Sequence, residues 1–383
     1  MMQPDLRAIY EARLDRMVGL TRDFVAIESP TDDKAAVDRL GRRIAEELRQ
    51  AGAEVFVHPR EAVGDIVEAR WHADRPSRPL LVVGHLDTVH PLGALAENPI
   101  RLEGGRLYGP GAYDMKASLA VVIETVRGLR EQSLFPERPV IALMTTDEES
   151  GSLHSRELIE QVAANAALAL IMEAALPDGS LKTWRKSVGR FVIRAHGVTS
   201  HAGGAHESGL NAVEEMAHHV LALQRMTDYQ AGTTVNVGVI RGGTRGNVVP
   251  GFCEVQVDVR AMTAEEMARV TAAIYGLKPV LPGARLEIRG GFDRPPMERN
   301  HRMLDTFAQA AQIAAQYGMT LRESGTGGAS DGNYTAAVGT PTLDGLGPLG
   351  DGAHSEREYV LVHTLPRSAA LLAALLIEWP RDR

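Results

Sequence analysis

Leu80-Leu81-Val82-Val83-Gly84-His85-Leu86-Asp87-Thr88-Val89 decides how the rest of the chain is read. Four apolar residues run into a glycine, and a histidine and an aspartate follow two residues apart. The run reads as a buried strand. In extended backbone, residues i and i+2 point the same way, so His85 and Asp87 project together from the strand's carboxyl end. Ligands of open α/β sheets bind at that edge. A neutral imidazole is a good metal ligand, and a nearby carboxylate can fix its tautomer. On these residues alone the pair reads equally well as a histidine satisfied by a local acid.

Outward from this strand the pattern repeats. Val140 to Thr145 is a second apolar strand, ending in Thr146-Asp147-Glu148-Glu149-Ser150-Gly151. Leu168 to Met172 is a third, ending in Glu173. The glycine-rich segment Gly104 to Asp114 delivers Asp114 to a helix expected from Met115 to Gln132. Helices are also expected over 5–28, Lys34 to Gln50 and Ser155 to Val162, with strands at Glu54 to His58 and Ile66 to Trp71. Strands alternating with helices predict a largely parallel sheet.

The composition shifts after Lys186. Phe252 to Ala261 alternates strictly, with Cys253, Val255, Val257 and Val259 on one face, as a half-buried antiparallel strand does. Strands at Arg190 to Ala195, Thr233 to Ile240 and Arg285 to Arg289, with helices at Leu210 to Met226 and Ala264 to Tyr275, give the β-α-β-β-α-β order of a ferredoxin-like unit. The ends of such a unit lie close together, so it can be inserted into a larger domain. The expected organisation is a first domain over 1–186 and 296–383, interrupted by a second over 187–295.

The 383 residues exceed one ordinary core. The formal net charge of -8 argues against a nucleic-acid partner. One cysteine, Cys253, excludes an intrachain disulfide and a thiolate metal cluster. The longest apolar stretch, Ala369 to Ile377, is too short to span a bilayer. No basic segment followed by an apolar one opens the chain. These features predict a cytoplasmic protein with no membrane partner.

His85, Asp114, Glu148, Glu149, Glu173 and His354 all fall at strand ends or loop tips. Two metals about 3.5–4 Å apart can clamp a hydrolytic transition state from both sides. Such a pair needs one bridging carboxylate, terminal ligands for each ion, and a free base. Histidine and carboxylate without thiolate suit catalytic rather than closed structural sites. Adjacent Glu148 and Glu149 in extended backbone would face opposite ways, one to metal and one to substrate.

His85-Leu86-Asp87, Gly109-Pro110-Gly111-Ala112-Tyr113-Asp114-Met115-Lys116, Asp147-Glu148-Glu149-Ser150-Gly151, Glu173, Ser200-His201-Ala202-Gly203 and Gly352-Ala353-His354-Ser355 resemble, in that order, the motifs of the M20 family of dinuclear zinc peptidases and amidohydrolases. The likeness is greatest to its glutamate carboxypeptidase branch. It implies a phosphorylase/hydrolase-like α/β domain with a mixed, mostly parallel sheet, plus an inserted ferredoxin-like α+β lid and dimerisation domain. It implies two Zn2+ per subunit, with Co2+ or Mn2+ as substitutes. Asp114 matches the bridging carboxylate, His85 and Glu173 the other ligands of one zinc, and Glu149 and His354 those of the second. Glu148 matches the general base that takes a proton from the attacking water and passes it to the leaving nitrogen. Asp87 matches the residue that supports His85.

In the inserted domain, His201 resembles a histidine that reaches the partner subunit's active site. Asn247 and Arg260 resemble a pair that holds a substrate carboxylate, for which the arginine fork is suited. Gly327 and Gly328 belong to a loop, Gly325 to Gly332, resembling one that lines the substrate cleft. Ala117 stands where the family often has glycine, and His206 where proline is common.

The implied activity is hydrolysis of an amide next to a free carboxylate, releasing a C-terminal amino acid from an N-acyl amino acid or short peptide. N-acyl-amino-acid deacylation is the alternative, and an inactive binding protein the distant one. A homodimer through the inserted domain is implied. No serine nucleophile on a Gly-x-Ser-x-Gly turn is expected. The adjacent His218 and His219 are expected at the surface, and Cys253 in packing.

Overall fold

The computed structural model describes residues 3–380. Contacts divide the chain into two compact units, one of residues 1–183, 299–326 and 330–383, the other of residues 184–298 and 327–329.

The first unit is built on the strand Leu80–His85, every residue of which is buried. It runs parallel between Val140–Thr145 and Leu168–Ile171. Thr342–Asp344 continues the parallel run beyond Leu168–Ile171. Ile66–Trp71 and Glu54–His58 extend the other side antiparallel. The result is a mixed eight-stranded sheet whose four central strands are parallel. Strands buried on both faces have no polar side to alternate, which is why they read as continuous apolar runs.

Helices Ala117–Glu131 and Leu365–Glu378 are buried on nearly every face. Their small and branched apolar residues (Ala120, Val121, Ala370, Leu372, Ala373) join the main core. A helix apolar all round belongs inside a protein. Lys34–Gln50 is amphipathic instead, and Asp33 caps it by accepting the Ala36 N–H at 2.9 Å.

Two expectations for this unit are corrected. The helix expected over 5–28 is two, Leu6–Glu11 and Leu14–Val25. The break falls at Arg13, whose buried guanidinium turns inward onto Glu124 at 2.8 Å and Glu131 at 2.6 Å. The helix expected from Met115 begins at Ala117, because Ala112–Lys116 forms a wide turn with non-helical backbone at Asp114 and Met115.

A second, small sheet has no signature in the sequence. Arg101–Glu103, Arg106–Tyr108, Tyr359–Leu361 and Gly350–Asp351 form a four-stranded antiparallel array. Strands of two or three residues are too short to show a period.

The other unit is a four-stranded antiparallel sheet with Thr234–Gly242 at one edge, then Phe252–Arg260 and Val188–His196, and Arg285–Arg294 at the other. With helices Ala212–Gln224 and Ala264–Tyr275, the chain order is β-α-β-β-α-β. Cys253, Val255, Val257 and Val259 point into its core with Phe191, Ile193, Met216 and Ile274. His219 is corrected: it is buried, with Nε2 2.7 Å from Glu215, whereas His218 is exposed. No helix among the described residues is long and apolar enough to cross a membrane.

Candidate metal centre

Six side chains singled out from the sequence come together at the carboxyl edge of the central sheet. His85 ends its strand. Glu148 and Glu149 follow Thr145 on one neighbouring strand, and Glu173 follows Ile171 on the other. Asp114 and His354 arrive from the small sheet. The strand Arg106–Tyr108 leads to Asp114, and its pairing partner Tyr359–Leu361 leads away from His354.

Asp114 lies between the two histidines. Its Oδ1 is 3.1 Å from His85 Nε2, and its Oδ2 is 3.3 Å from His354 Nε2. His354 Nε2 is also 3.1 Å from Glu149 Oε2, and His85 Nε2 is 3.6 Å from Glu173 Oε1. Ligand atoms of His85, Asp114 and Glu149 all lie within 4.8 Å of one another, and so do those of His85, Glu148 and Glu173.

His85 Nδ1 lies 2.9 Å from the backbone oxygen of Asp87. A carbonyl only accepts, so Nδ1 carries a proton; the Nε2 contacts with the carboxylates are hydrogen bonds while the ring is protonated, and loss of the Nε2 proton leaves a lone pair for a cation. Asp87 supports His85 in two ways, its backbone oxygen accepting from Nδ1 and its buried carboxylate placing Oδ1 3.5 Å from the same nitrogen, and the carboxylate has a further task. That carboxylate accepts the Thr31 hydroxyl at 2.8 Å and the N–H groups of Glu148 and Glu149 at 3.2 Å each. Glu148–Ser150 is a 3-10 turn, not extended backbone. Asp87 thus ties the turn carrying both glutamates to the strand end carrying His85.

Electrostatics follow from this crowding. Burial opposes a charged His85, but hydrogen bonds to Asp114 and Asp87 outweigh it and raise the ring well above its usual range. Hydrogen bonds to Asp114 and Glu149 push His354 up to about 10. Burial pushes Asp114 up, yet the two histidines hold it well below the carboxylate range. Burial pushes Glu149 up to about 7.

The residues fit a pair of divalent cations. The donors are imidazole nitrogens and carboxylate oxygens, with no thiolate. Asp114 offers one oxygen to each side. The Glu149 Oε1 atom is buried and meets no hydrogen-bond partner. Unpaired buried carboxylate oxygens are costly, and a cation would satisfy this one.

Residues 81–378 match the model of peptidase family M20/M25/M40. The chain belongs to the M20 family. It is therefore a hydrolytic enzyme of the metallopeptidase and amidohydrolase kind, and M20 enzymes depend on metal. The M20 chain is 31% identical to carboxypeptidase G2 of Pseudomonas sp. (strain RS-16), over 97% of its own length and 91% of the relative's. It is 29% identical to the succinyl-diaminopimelate desuccinylase of Halorhodospira halophila, over 93% and 96%. The crystal structure of aminopeptidase PepT from Bacillus cereus superposes with a TM-score of 0.78 at 23% identity, covering 95% of this chain and 98% of that one. That likeness speaks to the M20 fold alone.

The remaining residues singled out from the sequence lie in the other unit. His201 is exposed, and its Nδ1 accepts the N–H groups of Gly203 and Gly204 at 3.1 and 2.9 Å. Asn247 is exposed, and its backbone oxygen accepts the Ala202 N–H at 3.0 Å. Arg260 presents its fork to Asp258, at 2.8 and 2.9 Å. Gly327 and Gly328 are exposed.

A Gly-x-Ser-x-Gly sequence does occur, at Gly328-Ala329-Ser330-Asp331-Gly332, against the expectation of none. Ser330 is fully buried, and its hydroxyl donates to Asp344 at 2.6 Å and accepts the Gly332 N–H. A serine so enclosed meets no substrate. Sequence reasoning missed Glu358, a buried acid that holds the Asp114 loop. Its only sequence signal is its place four residues after His354.

Proposed function

We propose that this M20 enzyme is a zinc-dependent carboxypeptidase, hydrolysing an amide next to a free carboxylate and releasing a C-terminal amino acid. The observation that carries the reading is the convergence of His85, Asp114, Glu149, Glu173 and His354 beside Glu148, in a chain similar over nearly its whole length to a carboxypeptidase.

Two Zn2+ are assigned to the five ligands, with Asp114 shared between His85 and Glu173 on one side and Glu149 and His354 on the other. When bound, the metals polarise the scissile carbonyl and make water acidic enough to attack near neutral pH. The protein's residues do the rest. Glu148 takes the proton of the attacking water and returns it to the leaving nitrogen. Asp87 holds the glutamate turn in register with His85. Arg260 and Asn247 bind the substrate carboxylate, and the Gly327–Gly328 loop lines the cleft. The unit of residues 184–298 serves as lid and as homodimer contact, with His201 steadying the oxyanion in the partner's site. The enzyme works in the cytoplasm.

N-acyl-amino-acid deacylation is the second reading, favoured by the likeness to the desuccinylase. Both readings cleave an amide beside a free carboxylate and differ in the acyl side. The test is amine release from a panel of N-acyl amino acids and dipeptides by zinc-loaded protein. Release of a free amino acid from carboxylate-bearing members supports the proposal. Equal release from carboxamide-capped members, or none from any, overturns it.

A further inference from the structure

Glu358 is fully buried four residues beyond His354. Its Oε1 accepts the N–H groups of Tyr113 at 2.8 Å and Asp114 at 2.9 Å. Its Oε2 accepts the Gly111 N–H at 2.9 Å and lies 2.6 Å from His90 Nε2. Its backbone oxygen accepts the Gly109 N–H at 3.4 Å. One side chain thus gathers three backbone donors of the loop that carries Asp114, including the donor of Asp114 itself.

Two features make this grip possible. Gly111 adopts a left-handed backbone, φ +71°, at the bend from which the Gly111, Tyr113 and Asp114 N–H groups converge on one carboxylate. The strands Arg106–Tyr108 and Tyr359–Leu361 pair directly, Tyr108 with Tyr359, and so hold the two loops side by side. His90, with a side chain only 12% exposed, fixes the outer oxygen.

We propose that Glu358, braced by His90, is the positioning residue for Asp114. It sets the direction of the two Asp114 oxygens, one toward His85 and one toward His354, and thereby the spacing of the two metal positions. Because His354 and Glu358 share a loop, the same carboxylate links the ligand before it in sequence to the ligand it grips in space. Losing a hydrogen-bond partner of a metal ligand typically costs about 10–100-fold in metal affinity. The inference rests on the metal-dependent reading above.

The test compares Glu358→Gln with Glu68→Gln. Glu68 is an equally buried acid of the same unit, held by His58 at 2.7 Å and Arg70, and it touches none of the metal-site residues. Co2+ binding to metal-free protein is followed by chelator competition and by the visible absorption of the bound ion. Glu358→Gln should weaken Co2+ binding by about 10–100-fold and alter the band, as expected for a lost partner of a ligand. Glu68→Gln should leave both as in the wild type even where it lowers stability. Wild-type affinity and spectrum in Glu358→Gln overturn the proposal. If Glu358→Gln does not fold, His90→Gln decides in its place: a weaker affinity with a shifted band supports the proposal, and unchanged values overturn it. A wild type that binds no Co2+ sinks the metal reading as well, whereas normal wild-type binding with an unaffected Glu358→Gln sinks this inference alone.

Discussion

Asp114 turns its Oδ2 to within 3.3 Å of His354 Nε2 while its Oδ1 stays 3.1 Å from His85 Nε2. The two histidines come from distant parts of the chain and both contact this carboxylate. An amide at position 114 keeps one oxygen and turns the other position into a donor that cannot bind a cation. Asp114→Asn should therefore lose at least one of the two metals, measured by elemental analysis after gel filtration. Turnover should fall at least about a hundredfold, the scale of a single electrostatic contributor. Full metal content in this variant would argue that the carboxylate is not shared.

Glu148 and Glu149 occupy one 3-10 turn but meet different neighbours. Glu149 faces His354, whereas Glu148 clusters with His85 and Glu173. As the proposed base, Glu148 is required for turnover and not for metal retention. Glu148→Gln should keep both metals and lose about 10²–10⁴-fold in kcat with KM little changed. Glu149→Gln should instead lose metal. Comparing metal content in the two variants separates base from ligand, and metal loss in Glu148→Gln would reverse the assignment.

The parts of this centre differed in how plainly the sequence announced them. His85, Glu148 and Glu173 each follow a buried parallel strand, and an apolar run ending in a ligand type is visible without a structure. Asp114 and His354 read only as ligand types at loop tips, and their roles come from the family resemblance, because their loops hang on strands of two or three residues that show no period. Asp87 stands beside the His85 ring as expected, its Oδ1 3.5 Å from Nδ1, but its backbone oxygen also holds the ring and its carboxylate also accepts the Glu148 and Glu149 N–H groups. Residue identity alone does not tell those tasks apart. Glu358 was invisible because it binds backbone N–H groups, which carry no residue signature. His219 misleads for a similar reason: a polar residue on a helix reads as solvated until its buried partner is known.

Chelation and pH should act on this centre together. The His354 ring is held up to about 10 and His85 well above its usual value, so both carry protons near neutrality without metal. A metal needs them neutral, so binding must expel protons. As pH rises toward 10, fewer protons remain to be displaced and apparent affinity strengthens; as pH falls below 7, it weakens. Titration calorimetry in buffers of different ionisation enthalpy should show net proton release. At a hundred times its dissociation constant, the metal should add about 2.7 kcal/mol to unfolding free energy in urea. The increment from the metal held by Glu149 and His354 should vanish in a Glu149→Ala, His354→Ala double variant, while that of the His85 and Glu173 side remains.

Arg260 already has a carboxylate partner in Asp258, at 2.8 and 2.9 Å. A substrate carboxylate would have to compete with it. Arg260→Ala should raise KM for carboxylate-bearing substrates by about 10–100-fold, the worth of a charged hydrogen bond of about 1.5–3 kcal/mol. Both side chains are partly exposed, so the internal pair is weak. Asp258→Ala should accordingly lower KM by no more than about fivefold. Parallel KM changes on carboxamide-capped substrates would show that Arg260 supports the unit's structure and not recognition.

Gly111 is the point at which backbone geometry and the metal centre meet. Its φ of +71° is disfavoured for any residue with a Cβ, and a Cβ placed there would lie 2.6 Å from Thr88 Cγ2. Thr88 is buried and cannot swing into solvent. Gly111→Ala should therefore cost about 2 kcal/mol or more, part from the left-handed backbone and part from the collision. The two parts can be separated. Thr88→Ser removes Cγ2, so in the Gly111→Ala background it should restore the steric share and leave the backbone share, a coupling readable by a double-mutant cycle in urea. The metal should follow a different rule. Gly111 N–H is one of the donors gathered by Glu358, three residues before Asp114. A residual loss of metal affinity in the Thr88→Ser, Gly111→Ala protein, after stability has partly returned, would mean that the loop's shape and not its stability sets the site. Affinity returning in step with stability would mean the opposite.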